Sequence, residues 1–213
     1  MTEIRALREQ IVGYGRSLFD RGLTAGSSGN ISVRVDDGWL MTPTNSSLGR
    51  LEASSLSHLR SDGTLVAGDP PTKEALLHRA VYRVRGDAGA VVHLHSHWSV
   101  AVSVHADVDT ANVLPPLTPY QVMKVGRLPL VPYFRPGDPA VALAISDLAR
   151  THAAVLLANH GPVVAAESLD AAVNAIEELE ATAKLFLSLS GRNVRHLTDA
   201  QLDKLRSVFG VAW

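Results

Sequence analysis

Cysteine is absent from all 213 residues. Neither a disulfide nor a thiolate metal site can therefore form, and a cytoplasmic location is the simpler expectation. Charge of one sign is lacking too. Twenty Lys and Arg residues stand against 21 Asp and Glu, evenly spread, which removes the electrostatic reason to expect nucleic acid or an anionic membrane as partner. No run approaches the roughly 20 apolar residues of a membrane span, and the stretch from Met1 to Gln10 is charged rather than apolar, which argues against a secretory signal. No internal repeat, low-complexity segment or Pro/Gly/Ser-rich linker interrupts the chain. The expectation is one domain over 1–213 with a well-buried core, and a small molecule as its partner.

Among what is present, the segment Ala90-Val91-Val92-His93-Leu94-His95-Ser96-His97-Trp98 places histidines at every second position after an apolar run. Ala90 to Val92 reads as a buried strand. Side chains alternate faces along a strand, so His93 and His95 project from one side, close enough to share a metal ion. Neutral imidazoles in such a pair suit zinc or a similar divalent ion, although an isolated His-x-His is equally two polar residues at an exposed strand end. His160 adds a third in a similar setting, after the apolar run Ala153 to Ala158 and before Gly161. Two converging strand ends complete a three-histidine site with an open coordination position, the catalytic rather than the structural zinc pattern.

In chain order, Ile4, Leu7, Ile11 and Leu18 fall at helical spacing and Gly22 is a stop, predicting an amphipathic helix over 3–21. The polar loop Gly26 to Asn30 feeds an alternating strand, Ile31 to Val35, which Asp36-Asp37-Gly38 turns into a hairpin with Trp39 to Thr42. A second hairpin is expected around Ser61-Asp62-Gly63. After Pro70-Pro71, Thr72 is the expected cap of a helix whose apolar face includes Leu76, Leu77, Ala80, Val81 and Val84. Ser99 to Val104 reads as the start of a helix, and Leu128 to Phe134 as a proline-interrupted edge strand. Asp138-Pro139 opens a helix through Leu143, Ala144 and Leu148. Beyond the strands at Ala153 and at Pro162 to Ala166, a long helix runs from Leu169 to about Leu189, with Glu177, Glu178 and Glu180 on a solvated face. Thr198 to Gln201 has the form of a capping box. The sum is an α/β protein with a substantially antiparallel sheet.

Other residues have two readings each. Glu74 falls in the first turn of its expected helix, where the dipole favours any carboxylate; beside a metal it is instead a ligand, or a general base or acid. Gly26 to Asn30 is either a tight connection or an anion cradle, with backbone N–H groups, the hydroxyls of Ser27 and Ser28 and the Asn30 amide around a phosphate. Thr42 to Ser47 is a second hydroxyl-rich loop, suited to the opposite wall of that cradle, and Lys73 is either solvated or the positive charge beside it.

Taken together, Gly26-x-x-Gly29-Asn30-Ile31-Ser32, Thr42-Pro43-Thr44, Lys73-Glu74, His93-x-His95 and Asn159-His160-Gly161 resemble the class II aldolase/adducin family over about residues 5–190. Leu117-Thr118-Pro119-Tyr120 and the segment Pro132 to Asp138 resemble its 3-oxo-tetronate 4-phosphate decarboxylase branch. The resemblance implies a class II aldolase-like three-layer fold, a central, mainly antiparallel sheet flanked by helices. It implies Zn2+ on His93, His95 and His160, with Glu74 as ligand of the resting metal and acid/base in turnover. It also implies phosphate at Ser28, Gly29, Asn30, Thr44 and Asn45, and a C4 homotetramer in which Tyr120 reaches a neighbour's site as a further proton donor.

Where the sugar-phosphate aldolases tend to carry two serines before the glutamate, this chain has Thr72-Lys73, a fixed cation suited to a doubly anionic sugar-acid phosphate. The implied activity is decarboxylation of 3-oxo-tetronate 4-phosphate to dihydroxyacetone phosphate and carbon dioxide through a zinc-stabilised enediolate. Retro-aldol cleavage needs the same enediolate, so an aldolase or epimerase of the fuculose or ribulose phosphate type is the alternative. A non-catalytic scaffold like the adducin head domain is a third reading, and retention of the three histidines and Glu74 argues against it.

Overall fold

Alternating polar and apolar segments resolve into helices and strands in the computed structural model, which describes residues 2–135, 137–211 and 213. Met1, Pro136 of the Pro132 to Asp138 motif, and Ala212 lie outside the described residues. The order is α1 (Thr2–Asp20), β1 (Asn30–Val35), β2 (Gly38–Met41), β3 (Ser57–Arg60), β4 (Leu65–Ala67), α2 (Ala75–Val84), β5 (Ala90–His93), α3 (His97–Ser103), α4 (Pro119–Lys124), β6 (Leu130–Val131), α5 (Ala140–Ala149), β7 (Ala154–Leu157), β8 (Gly161–Ala166), α6 (Leu169–Ser188) and α7 (Asp199–Phe209). Among the described residues the strands form one sheet in the order β4-β3-β2-β1-β5-β8-β7-β6. Every pairing is antiparallel except β6 with β7. The mainly antiparallel sheet flanked by helices is therefore observed, and no helix of the described residues is long and apolar enough to cross a membrane.

The period-2 alternation of the strands splits the interior into two layers. Ile31 and Val33 of β1, Val92 of β5 and Val164 of β8 face one way, onto Ile11 and Leu18 of α1 and Ile176 and Leu179 of α6. Val91, Val163 and Val155 face the other way, onto Leu77, Val81 and Tyr82 of α2 and Ile145 of α5. Alternation places Asn30, Ser32 and His93 on this second face, beneath α2. In the central ladder Asn30 lies opposite His93, and His93 opposite Val163.

Several expectations change where tertiary contacts outweigh local pattern. Glu74, not Thr72, is the N-cap of α2; the Thr72 hydroxyl accepts the Glu74 N–H instead, at 3.3 Å. Leu76 is 51% exposed rather than part of the buried helix face. The strand expected over 128–134 is paired only at Leu130–Val131, on the predicted edge, because prolines flank it. Helix α3 begins two residues earlier than expected, and α4 was not anticipated, although Thr118 caps it and Pro119 opens it.

Glu180 is not on a solvated face. It is 9% exposed, and its carboxylate accepts the N–H groups of Trp98 (2.7 Å) and Ser99 (2.8 Å) and the Ser99 hydroxyl (2.6 Å). Ser96, the N-cap of α3, makes no capping bond of its own, so α6 supplies the cap from across the fold. Glu177 does stay near the surface, bonded to Arg21. Truncating Glu180 leaves these donors unpaired and buried. Glu180→Ala is expected to cost about 3 kcal/mol of stability by urea denaturation; a loss below about 1 kcal/mol would show that the carboxylate is not holding α3.

Candidate metal centre

Three imidazoles and one carboxylate meet at the ends of β5 and α2 and in the turn before β8. One ligand atom from each of Glu74, His93, His95 and His160 lies within 4.8 Å of all the others. His95 Nε2 is 3.2 Å from His93 Nε2 and 3.0 Å from His160 Nε2. Glu74 reaches His93 Nε2 with Oε2 and His160 Nε2 with Oε1, both at 3.4 Å. Strand β5 ends at His93, and the alternating direction carries on past its end, so His95 turns back beside its neighbour.

Two backbone features let the pieces approach. Gly161, at φ +145°, lies so close to β5 that a Cβ there would sit 2.2 Å from the Leu94 carbonyl oxygen. Only glycine fits, and His160 is carried inward by the tight turn between Leu157 and Gly161. Asn159 takes the left-handed conformation at φ 58°, which asparagine tolerates. Gly29, at φ +79°, brings its loop against the His93 carbonyl, where a Cβ would be 3.1 Å away.

The donor chemistry fits a divalent cation. His93 Nδ1 is 2.8 Å from the Pro162 carbonyl oxygen, which can only accept, so Nδ1 carries the proton and the Nε2 lone pair faces the cluster. Burial, then the neighbouring imidazoles, push His95 down to about 4 and lower His160 as well, so both are neutral at pH 7 and able to ligate. Burial opposes ionisation of Glu74, but the imidazole of His93, the hydrogen bond from the Asn30 amide and the imidazole of His160 outweigh it and hold the carboxyl at about 2. A carboxylate and three imidazoles are the ligand types of zinc and related ions.

The remaining candidates divide. Asn30 is 5% exposed and donates through Nδ2 to Glu74 Oε2 at 2.7 Å. Ser28 spends its hydroxyl within the loop, donating to the Ala25 carbonyl at 2.6 Å. The segment of Thr44 and Asn45 runs beside the start of α2, with Thr44 N–H bonded to Pro70 O and Thr72 N–H to Thr42 O. Lys73 is exposed and lines a small cleft with Glu74, His160, Phe134 and Arg135. Tyr120 stands 61% exposed on α4 and forms no hydrogen bond to the cluster among the described residues. His78 was not singled out from the sequence. It lies one turn beyond Glu74 and is fully buried against Asn30 and Ser32, and the Glu74-x-x-x-His78 spacing opposite alternating Asn30-x-Ser32 was the available signal.

Fold and cluster together define an α/β protein with one group of three histidines and a carboxylate, among the described residues, that could hold a metal ion. The profile of the class II aldolase and adducin N-terminal domain matches residues 9–187, and the chain belongs to that family. It is 49% identical over 204 residues to the 3-oxo-tetronate 4-phosphate decarboxylase of Escherichia coli, covering 95% of this chain and 96% of that one. With the L-fuculose phosphate aldolase of Methanocaldococcus jannaschii it shares 33% identity over 181 residues, 84% of this chain and 95% of the other. The crystal structure of YgbL from Escherichia coli superposes with a TM-score of 0.93 at 48% identity, covering 95% of this chain and 99% of that one.

The buried histidines set the pH dependence of stability. His78 and His95 are pushed below the ordinary 6.5, to about 3 and about 4. The unfolded chain therefore takes up protons first as pH falls, so their contribution is complete above about 6.5 and shrinks toward pH 4. Metal-free protein is expected to show its highest Tm above pH 6.5 and a steady fall below it; a flat profile would mean that folding leaves the pKa values of these imidazoles unshifted.

Proposed function

We propose that the protein is a divalent-metal carboxy-lyase that converts 3-oxo-tetronate 4-phosphate to dihydroxyacetone phosphate and carbon dioxide. The observation that carries this is the convergence of Glu74, His93, His95 and His160 within 4.8 Å, and the 49% identity across 95% of the chain supports the substrate. In the reaction the C1–C2 bond breaks, its electron pair passes into an enediolate over C2 and C3, and a proton is added at C2. A cation held by the three histidines, for which we favour zinc, supplies the Lewis acidity that stabilises the developing oxyanion.

The chain's own residues supply the rest. Glu74 ligates in the resting state and serves as acid/base in turnover, its carboxylate aimed by the Asn30 amide. Lys73, exposed at the rim of the cleft, carries positive charge toward a doubly anionic substrate. The loops with Ser28, Gly29 and Asn30 and with Thr44 and Asn45 take the phosphate. Within these loops the Ser28 hydroxyl, the Asn30 amide and the N–H groups of Ser28 and Thr44 already have partners inside the fold. Tyr120, exposed on α4, is assigned a role at a neighbour's site in a C4 homotetramer. The whole chain acts as one domain, in the cytoplasm.

A sugar-phosphate aldolase is the second reading, favoured by the 33% identity to the fuculose phosphate enzyme. Incubating zinc-loaded protein with 3-oxo-tetronate 4-phosphate is expected to release carbon dioxide and dihydroxyacetone phosphate in equal amounts. A chelator should abolish both and zinc restore them. His95→Ala should lose bound metal and turnover together. Turnover by a metal-free variant would sink the mechanism, and aldehyde release from pentulose or tetrulose phosphates without carbon dioxide from the tetronate would select the aldolase.

A further inference from the structure

Behind the cluster, on the face of the sheet beneath α2, runs a chain of polar side chains sealed from solvent. Asn30 Nδ2 donates to Glu74 Oε2 at 2.7 Å, and Asn30 Oδ1 lies 2.5 Å from His78 Nε2. His78 Nδ1 is 2.6 Å from Ser32 Oγ, which is 2.9 Å from the Tyr82 hydroxyl. Asn30, Ser32, His78 and Tyr82 are all buried. The two elements match polar to polar here: Asn30 and Ser32 alternate along β1, and His78 and Tyr82 recur one turn apart on α2.

Proton placement along this chain is determined. A carboxylate only accepts, so Asn30 must present its NH2 group to Glu74 and its carbonyl oxygen to His78. His78 Nε2 must then donate. Burial pushes His78 down to about 3 and keeps it neutral, so Nδ1 is bare and accepts from the Ser32 hydroxyl. The Tyr82 hydroxyl closes the chain on Ser32, 3.0 Å from its carbonyl oxygen. A flipped Asn30 amide would set oxygen against carboxylate and NH2 against N–H.

We propose that His78 is a positioning residue: its Nε2–H locks the Asn30 amide in the orientation that donates to Glu74, and so keeps the Glu74 carboxylate aimed at the three metal-ligating histidines. This rests on the reading of Glu74 as ligand and acid/base given above. Outer partners of metal ligands commonly govern affinity in this way, through one hydrogen bond that sets the ligand's direction.

Two near-isosteric variants separate this role from packing. In His78→Gln the amide nitrogen overlays the imidazole Nε2 and keeps the donor to Asn30; in His78→Asn the amide reaches only as far as Nδ1 and the donor is lost. Both lose the ring. Zinc affinity, read by competition with a chromophoric chelator on the full chain, is expected to fall about tenfold or more in His78→Asn and to stay within about threefold of the parent in His78→Gln. Turnover number should follow the same order while KM moves little. Equal weakening in both variants, or none in either, overturns the proposal. Should neither variant fold, the 15N shifts of His78 in the unaltered protein decide: a neutral Nε2–H tautomer supports the lock, and an Nδ1–H tautomer overturns it. The zinc measurement stands even if the unaltered protein releases no carbon dioxide, a result that would count against the substrate assignment alone.

Discussion

Three imidazoles and a carboxylate bring ligand atoms within 4.8 Å of one another, an arrangement that could hold a metal ion. The fold holds that set in place mostly with backbone. Strands β1, β5 and β8 lie side by side, with Asn30 opposite His93 and His93 opposite Val163. The close approach of Gly161 to Leu94 brings the turn bearing His160 within reach. Ladder hydrogen bonds and a contact that admits no side chain are stiff restraints, so the donors stay in place without depending on long, mobile side chains.

The centre is gripped from both faces of the sheet. Beneath α2, Glu74 stands at the helix start, and the buried seam from Tyr82 through Ser32, His78 and Asn30 runs up to it. On the opposite side Glu180 of α6 ties down the start of α3, immediately after the histidine segment. Buried polar groups cost stability when unpaired. Here they are paired in sequence, so the hydrogen bonds that offset their burial also aim the ligands.

Chemistry and specificity are carried by different parts of the site. A cation on three histidines stabilises an enediolate whether the departing fragment is carbon dioxide or an aldehyde. Around the ligands, Lys73, Phe134 and Arg135 line a small cleft with Glu74 and His160. The 49% relative is named for a sugar-acid phosphate and the 33% relative for a sugar phosphate.

Much of the element order was legible in the chain, because period-2 and period-3.6 patterns and turn residues act locally: α1, the first hairpin, the Ala90 and Ala153 strands, α6 and the capping box at Thr198 all lie where pattern put them. The three histidines were visible through strand alternation and a glycine-marked turn, and Glu74 as a carboxylate at a helix start with a second reading beside a metal. What pattern could not reach was anything settled between elements distant in sequence. Glu180 looks like a solvated acid along its helix, and only the packing of α6 against α3 buries it. His78 looks like an ordinary core residue until β1 slides beneath α2 and sets Asn30 against it. By itself the sequence determined which residues were available to bind a metal and on which faces of their own strands they stand, since these follow from local covalent geometry. The meeting of the four ligands, and the proton-ordered seam behind them, were decided by the tertiary structure alone, because strand register and helix packing depend on the burial of the whole core.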